Sequence, residues 1–169
     1  DDREISYSSA IADIAKIVRG FCEKNGIRMP RVILEPGRSL VAAAGATLYT
    51  VGSVKTITGY KSYVSVDGGM PDNPRYALYE SDYSVLLANR ANDKADCVCT
   101  VAGRCCESGD LLGEGVKLQT AEVGDTMAVL ATGAYNYSMS SNYNRVARLP
   151  IVMIDKNGSD YLAVRRESL

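Results

Sequence analysis

The segment Arg104–Asp110, Arg-Cys-Cys-Glu-Ser-Gly-Asp, brings two thiols and a carboxylate together within three consecutive residues. A free cysteine is usually buried and unreactive. Cys106, however, stands beside Glu107 at the end of a strand-like run, and a charged neighbour opposes burial. Ser-Gly-Asp is typical of a turn. The segment is therefore a candidate for thiol chemistry, and its carboxylate is a candidate ligand for a bound molecule.

A metal site must be weighed because four of the five cysteines cluster. The spacing C-x-C-x5-C-C is not a zinc pattern, and the chain contains no histidine. Strand alternation over Asp96–Val101 also sends Cys97 and Cys99 to one face, as expected of core residues. We therefore predict no metal site.

Three further segments carry residue types that suit ligand binding. Glu35–Ser39 (Glu-Pro-Gly-Arg-Ser) follows an apolar run and offers a carboxylate and a guanidinium, although a solvated Glu–Arg pair in a turn explains it equally well. Asp67–Tyr79 contains Arg75 and Tyr79 at helical i,i+4 spacing, which suits an anionic group or, alternatively, a surface Arg–Tyr stack. Thr132–Asn144 is small, polar and rich in tyrosine, which is typical of a binding loop or of a tyrosine packed under a loop.

The first forty residues have the pattern of an α/β unit. Apolar residues recur at helical spacing from Ser6 to about Lys24, with Ser8 or Ser9 as a candidate cap and Asn25-Gly26 as a left-handed end. The run Arg31–Glu35 is apolar and β-branched, which favours a strand buried on both faces. One such unit cannot bury its own apolar surface. We therefore predict a piece of a larger α/β domain over residues 1–39.

Beyond residue 39 the pattern changes to short β-branched runs separated by Gly, Asn or Asp turns. We predict a mainly β barrel or sandwich over residues 40–169. The predicted runs are Lys55–Ile57, Ser62–Asp67, Ser84–Leu87, Ala95–Val101, Thr126–Leu130 and Pro150–Ile154, and the Ala-rich stretch Leu40–Val51 fits either helix or strand. Gly124-Asp125 and Lys156–Gly158 are predicted hairpin turns.

Composition and net charge further restrict the classes of function that the chain could have. A hydrophobic content of 46% and a charged content of 23% are typical of a soluble globular domain. The net charge of -1 gives no electrostatic footprint for nucleic acid or an anionic membrane. The number of cysteines is odd, five, and their spacing is irregular, which favours a reducing, cytoplasmic compartment over a disulfide framework.

Taken together and in this order, the motifs resemble the C-terminal part of the diaminopimelate decarboxylases. These are pyridoxal-phosphate enzymes of the alanine racemase-like fold, in which a (β/α)8 barrel precedes a β domain. The resemblance runs from about residue 6 to the end of the chain. It rests on Glu-Pro-Gly-Arg-Ser, Asp-Gly-Gly-Met with the following Asn-x-Arg-x-Ala-Leu-Tyr, Cys-Glu-Ser-Gly-Asp, and Gly-Ala-Tyr-x-Tyr-Ser-Met-Ser-Ser-Asn-Tyr-Asn.

The resemblance implies roles for individual residues. Glu35 would face the pyridine nitrogen of pyridoxal 5'-phosphate, and the backbone of Glu35–Arg38 (with Pro36 and Gly37) would approach its phosphate. Cys106 would be the proton donor, as a mostly protonated thiol can be. Glu107 would meet the distal amino end of the substrate. Substrate carboxylate would be held by Arg38, Arg75 and Tyr79, and Tyr135 would contact both cofactor and substrate.

The resemblance further implies a homodimer, because Cys106 and Glu107 act in the partner subunit's site in this family. It departs from the family at Tyr76, where a proline is common. The Schiff-base lysine of the family has no counterpart among the seven lysines in this chain, so we expect a C-terminal fragment that is inactive alone. The implied reaction is decarboxylation of meso-2,6-diaminopimelate to L-lysine.

Two alternatives remain open from the sequence. The chain could be a non-catalytic β-barrel module for dimerisation or regulation. It could also belong to a decarboxylase of another basic amino acid, although two arginines suit a substrate with two carboxylates better.

Overall fold

The computed structural model describes residues 6–168, and these form two compact units divided between Leu40 and Val41. The division lies one residue beyond the predicted domain boundary. Residues 1–5 and 169, which the predicted domain ranges include, lie outside the described residues. The assignment of the first unit to a larger barrel stays a prediction.

The first unit is built around helix α1 (Tyr7–Asn25). The side chain of Ser6, rather than the predicted Ser8 or Ser9, caps its start by accepting a hydrogen bond from the Ser9 N–H. Its end is the predicted left-handed cap at Gly26, with φ of 63°. The apolar side chains of α1 are largely exposed, Ile17 to 71% and Phe21 to 61%.

The predicted strand over Arg31–Glu35 is not confirmed: this segment has no regular secondary structure. A strand exists only where a neighbouring chain pairs with it, and no described residue pairs with this one. Its side chains are exposed, Ile33 to 69%. The apolar run thus has the composition of a buried strand without the neighbours that would make it one.

The second unit is mainly β, which confirms the predicted fold class. The Ala-rich stretch divides into a short helix, a 3-10 turn over Ala42–Ala44, and then a strand. In chain order the elements are α2 (Arg38–Val41), β1 (Ala46–Ile57), β2 (Lys61–Val66), α3 (Arg75–Tyr79), β3 (Val85–Leu87), β4 (Cys97–Ala102), β5 (Leu111–Leu118), β6 (Thr126–Leu130), α4 (Asn136–Met139), β7 (Ile151–Ile154) and β8 (Asp160–Val164). Further 3-10 turns span Ala88–Arg90 and Tyr143–Arg145.

Six strands form one nearly closed, barrel-like sheet in the order β3-β6-β1-β2-β4-β5. Neighbours are antiparallel except β2 and β4, which are parallel. The first part of β1, Ala46–Thr50, pairs with β6, and the part from Val51 pairs with β2 after a register shift between Val51 and Ser53. A side chain rather than a strand ladder bridges the two edge strands: the Leu87 N–H at the end of β3 donates to the Gln119 side chain, just past β5, at 3.1 Å.

The core of the second unit lies inside this sheet. It consists mostly of branched aliphatic side chains that are essentially inaccessible to water, among them Val51, Val64, Leu87, Val101, Leu112, Leu118, Met127 and Val129. Cys99 is buried in the same cluster and Cys97 packs against it, which confirms that they share the core face. The sheet is therefore a rigid support for the loops at its ends.

One predicted hairpin is present and the other is not. Strands β7 and β8 form the antiparallel hairpin predicted from Lys156–Gly158. Gly124-Asp125 is a turn, but it does not join paired strands: β5 pairs with β4, whereas β6 lies between β3 and β1. Within residues 6–168, no helix is both long and apolar enough to span a membrane.

Candidate active site

Three connecting segments of the second unit meet at the candidate site. The central segment (Asp67–Asn73) follows β2, the thiol loop (Gly103–Asp110) joins β4 to β5, and the tyrosine loop (Ala131–Arg145) follows β6. The Arg104 N–H donates to the Gly68 carbonyl at 2.9 Å, and the Ser141 N–H donates to the Pro71 carbonyl at 2.8 Å. The central segment thus holds both loops by backbone hydrogen bonds.

Arg75 lies between two tyrosine rings. Its guanidinium carbon is 4.8 Å from the centroid of the Tyr79 ring and 5.7 Å from that of the Tyr135 ring. One of its terminal nitrogens donates to the sulfur of Met139 at 3.8 Å. Tyr79 lies one helical turn beyond Arg75 on α3, which confirms the prediction that they share a face. Cation–π contacts of this kind hold a guanidinium plane in a fixed orientation.

The guanidinium of Arg75 has donor capacity to spare. Its Nε is buried and has no hydrogen-bond partner among the described residues. A buried donor without a partner costs free energy that a suitable ligand recovers. Since a planar guanidinium matches the two oxygens of a carboxylate, this side chain is equipped to bind a carboxylate.

Two buried asparagines, which the sequence did not single out as site residues, lie in the segments that carry Arg75 and Tyr135. Asn73 is inaccessible to water, and its side-chain oxygen accepts a hydrogen bond from the Arg75 N–H at 3.4 Å. Helix α3 begins at Arg75, with Pro74 at the cap position. Asn136 accepts a hydrogen bond from the Tyr83 hydroxyl at 3.3 Å. No local signal distinguishes these asparagines from solvated loop asparagines, because their burial depends on distant parts of the chain.

The backbone of the tyrosine loop is strained where it presents Tyr135. This residue has φ of 70°, in the left-handed region, directly before α4. A non-glycine residue in that region costs of the order of 1 kcal/mol and is held there only by its surroundings. Such strain is common at ligand-binding positions. The tyrosine loop contains no strand.

The thiol loop exposes Cys106 and Glu107 and half-buries Cys105. Ser108 and Gly109 form the predicted turn, in which the Asp110 N–H donates to the Glu107 carbonyl at 3.0 Å. Burial, together with the nearby Asp110 carboxylate, raises the pKa of Cys105 to about 11. Cys106 and Glu107, the two predicted site residues of this loop, therefore lie beyond the end of β4 and are exposed.

The thiol loop and the arginine cluster are not joined by the side chains of Cys106 and Glu107. Among residues 6–168, no hydrogen bond or ion pair connects Cys106 or Glu107 to Arg75. One oxygen of Glu107 instead accepts hydrogen bonds from Ser108 and Gly109 in its own turn. The structure brings Arg75, Tyr79 and Tyr135 together, whereas Cys106 and Glu107 make no polar contact with Arg75 among the described residues.

Burial raises the pKa of Asp72 in the central segment. Its carboxylate accepts a hydrogen bond from the Gly69 N–H of the same segment at 2.9 Å. Burial and the Asp72 carboxylate also raise the pKa of Tyr49 well above its ordinary value. Because the folded chain holds a proton on Asp72 more tightly than the unfolded chain does, stability falls as pH rises from about 4, the ordinary aspartate pKa, through the folded value.

Replacing Asp72 by asparagine is therefore expected to raise the free energy of unfolding relative to the parent chain, and increasingly so as pH rises from 4 to 7. The amide oxygen can still accept the Gly69 N–H, so the packing is preserved. Urea unfolding over this pH range measures the difference. The matched control is Asp96→Asn: hydrogen bonds from Thr120 lower the pKa of this exposed carboxyl, so its loss should destabilise as pH rises to about 4. Equal pH slopes for the two variants would contradict the prediction.

In the first unit, Glu35 and Gly37 are exposed and Arg38 is half-buried at the start of α2. The Leu40 N–H donates to the Gly37 carbonyl at 3.1 Å, which makes this segment a turn. Glu35 makes no hydrogen bond or ion pair with another described residue, and Gly37 has no side chain to keep a ligand away. A carboxylate and a side-chain-free backbone fit the two polar ends of pyridoxal phosphate, its ring nitrogen and its phosphate.

These features define a sheet domain whose connecting loops carry the candidate site. The sequence profile described as "Pyridoxal-dependent decarboxylase, C-terminal sheet domain" matches residues 9–133, and the chain belongs to this family.

The chain is 45% identical over 168 residues to the diaminopimelate decarboxylase of Bacillus subtilis, covering 99% of the chain and 38% of that protein. It is 50% identical over 158 residues to that of Synechocystis, covering 93% and 34%. Among solved structures, diaminopimelate decarboxylase from M. jannaschii in complex with L-lysine matches with a TM-score of 0.80 and 37% identity, covering 99% of the chain and 38% of that protein. The chain thus spans little more than a third of the length of these relatives.

Proposed function

We propose that this chain is the C-terminal part of a diaminopimelate decarboxylase, which converts meso-2,6-diaminopimelate to L-lysine and CO2. The geometry that carries the proposal is Arg75 held between Tyr79 and Tyr135 with a buried donor to spare. This cluster provides a surface that suits a carboxylate. The chain that carries it is 45% and 50% identical to two diaminopimelate decarboxylases.

Glu35 and the backbone through Arg38, together with Tyr135, are the residues that would hold pyridoxal phosphate. When bound, this cofactor accepts the electron pair left behind as CO2 departs. The Glu35 carboxylate favours a protonated ring nitrogen by pairing with it. Arg38, Arg75 and Tyr79 bind substrate carboxylate, and Glu107 accepts hydrogen bonds from the amino group at the far end of the substrate.

Cys106 would then donate the proton of its sulfur to the carbon that has lost CO2, and the thiolate left behind would take up a proton from solvent. The carbon–carboxylate bond breaks, and a carbon–hydrogen bond forms in its place. A positioned acid of this kind contributes typically about 10²–10⁴-fold to the rate.

We also propose a homodimer in which Cys106 and Glu107 complete the partner subunit's site. Within residues 6–168, Cys106 and Glu107 make no hydrogen bond or ion pair with Arg75 of the same chain, as expected if they serve the other subunit's site. We further expect the chain to be inactive alone. A working site needs a Schiff-base lysine in addition to the residues described above.

The function is tested with a full-length enzyme, meaning a protein that carries this chain behind a barrel with the Schiff-base lysine. With pyridoxal phosphate it should release CO2 from meso-diaminopimelate and produce L-lysine. Ornithine, arginine and lysine should react far more slowly. Faster reaction with any of these three would contradict the proposed substrate.

The 169-residue chain alone, supplied with pyridoxal phosphate and diaminopimelate, should release no CO2. Its own release of CO2 would overturn the proposed inactivity. A full-length protein that forms a stable dimer but reacts with none of the four amino acids would indicate a non-catalytic module instead.

A further inference from the structure

Asp110 is a carboxylate that the mechanism above does not use, although it lies at the base of the thiol loop. Its side chain is buried, with 3% of the residue exposed. No arginine or lysine among residues 6–168 forms an ion pair with it. Burying a carboxylate is expensive unless hydrogen bonds replace its water, so its partners show what it stabilises.

Those partners are backbone N–H groups of two different segments. One oxygen accepts a hydrogen bond from Met70 at 2.6 Å, and the other accepts one from Cys105 at 2.7 Å. Both distances are short, as expected for a charge-assisted bond. Met70 belongs to the central segment, five residues before Arg75, and Cys105 immediately precedes Cys106.

The backbone of Asp110 closes the loop as well. The Gly103 N–H donates to the Asp110 carbonyl at 2.8 Å across the base of the loop. Asp110 therefore fixes the thiol loop at three points: at Gly103 where it starts, at Cys105, and at Asp110 itself where it ends.

Two glycines make room for this carboxylate. A Cβ atom added at Gly69 or at Gly103 would collide with the Asp110 side chain. Gly69 has φ of 146°, within the range that favours glycine. The surrounding backbone is thus shaped around the carboxylate, which leaves one position for the loop that carries Cys106.

We propose that Asp110 is a positioning residue that holds the Cys106 thiol in place for proton transfer and couples the thiol loop to the segment that leads into Arg75. We call the hydrogen bonds that Asp110 accepts from Met70, Cys105 and Gly103 the clamp. The catalytic part of this inference rests on the proposed function, whereas the clamp does not. The two parts are tested by separate measurements.

The clamp is tested by amide hydrogen exchange in the unmodified full-length enzyme. The Met70 and Cys105 N–H groups lie in loops, yet both should exchange as slowly as amides of the β4–β5 ladder. Exchange as fast as that of Ser108, at the exposed tip of the loop, would overturn the proposal without any substitution and whatever the enzyme's substrate.

The variant Asp110→Asn replaces one carboxylate oxygen by an N–H2 group, which cannot accept the second N–H. Exchange at Met70 or Cys105 should accelerate tenfold or more. The control Asp125→Asn alters a carboxylate of similar burial, 7% exposed, in the turn before β6. It should leave both amides unchanged, and equal acceleration in the two variants would overturn the clamp.

The catalytic role is tested by a double-mutant cycle in the full-length enzyme. Asp110→Asn alone should lower kcat more than tenfold, but in the Cys106→Ala background it should lower the residual kcat less than twofold. A residue that only stabilised the fold would lower both by the same factor, and that result would overturn the positioning role. If the enzyme does not act on diaminopimelate, the proposed function fails while the exchange measurements still decide on the clamp.

Discussion

Replacing Cys106 by alanine in the full-length enzyme is expected to lower kcat for diaminopimelate decarboxylation by about 10²–10⁴-fold, the usual contribution of a positioned general acid. The substitution removes the proton that the carbon receives after CO2 leaves. It removes nothing that holds the substrate, so KM should change little. Steady-state kinetics at saturating pyridoxal phosphate separate the two constants.

Loss of folded protein should not account for the lower kcat of Cys106→Ala. Cys106 is exposed and makes no side-chain hydrogen bond with a described residue, and substitutions at such positions usually change the free energy of unfolding by no more than about 0.5 kcal/mol. Cys106→Ser is a second, smaller change that leaves a weaker acid in the same place and should be impaired as well.

The matched control is the neighbouring thiol. Cys105 is half-buried, and burial beside Asp110 raises its pKa to about 11. Alanine keeps the backbone N–H that donates to Asp110 at 2.7 Å, and removes only the interaction of the thiol with that carboxylate. Cys105→Ala should therefore retain a kcat close to that of the parent enzyme. A large loss at Cys105 with little loss at Cys106 would show that the two thiols have been assigned the wrong way round.

The loops of this domain were largely predictable because turn chemistry is local. Ser108-Gly109 and Lys156–Gly158 turn the chain as their residue types indicate. The pairing of Arg75 with Tyr79 followed from helical spacing alone. In each case the residues that decide the structure are within four positions of one another.

Strand pairing was less predictable because it depends on distant partners. Arg31–Glu35 has the composition of a strand but no neighbour among the described residues. Conversely, β5 contains Gly113, Glu114 and Gly115, which are poor strand formers. It is nevertheless a strand because β4 pairs along its length. Gly124-Asp125 turns the chain toward β1, and no local signal shows which strand will receive it.

The same limit explains why the sequence did not reveal Asp110. In Ser-Gly-Asp it is a typical turn residue, and its partner in the central segment lies 40 positions earlier. Burial and two N–H donors distinguish an anchor from a solvated turn aspartate, and neither can be read from a single sequence. Asn136 was missed for the same reason, since its partner Tyr83 is 53 positions away.

Replacing Arg75 by lysine is expected to lower kcat/KM for diaminopimelate about 100-fold, equivalent to about 2–3 kcal/mol for hydrogen bonds to a charged group. Lysine keeps the positive charge but loses the planar fork that matches a carboxylate. It also loses the flat cation that packs between Tyr79 and Tyr135. The loss should fall mainly on KM, and Arg148→Lys, at an exposed position, is the control that should change neither constant.

A sharper test asks which carboxylate Arg75 holds. The carboxylate that reacts leaves as neutral CO2, so a strong ion pair with it would stabilise the ground state and slow the reaction. Arg75 is better suited to the carboxylate that the product L-lysine retains. In Arg75→Lys, inhibition by L-lysine should therefore weaken about 100-fold, by the same 2–3 kcal/mol. Inhibition by cadaverine, which has no carboxylate, should stay near its value in the parent enzyme. Equal weakening for both inhibitors would show that Arg75 supports the site without binding a carboxylate.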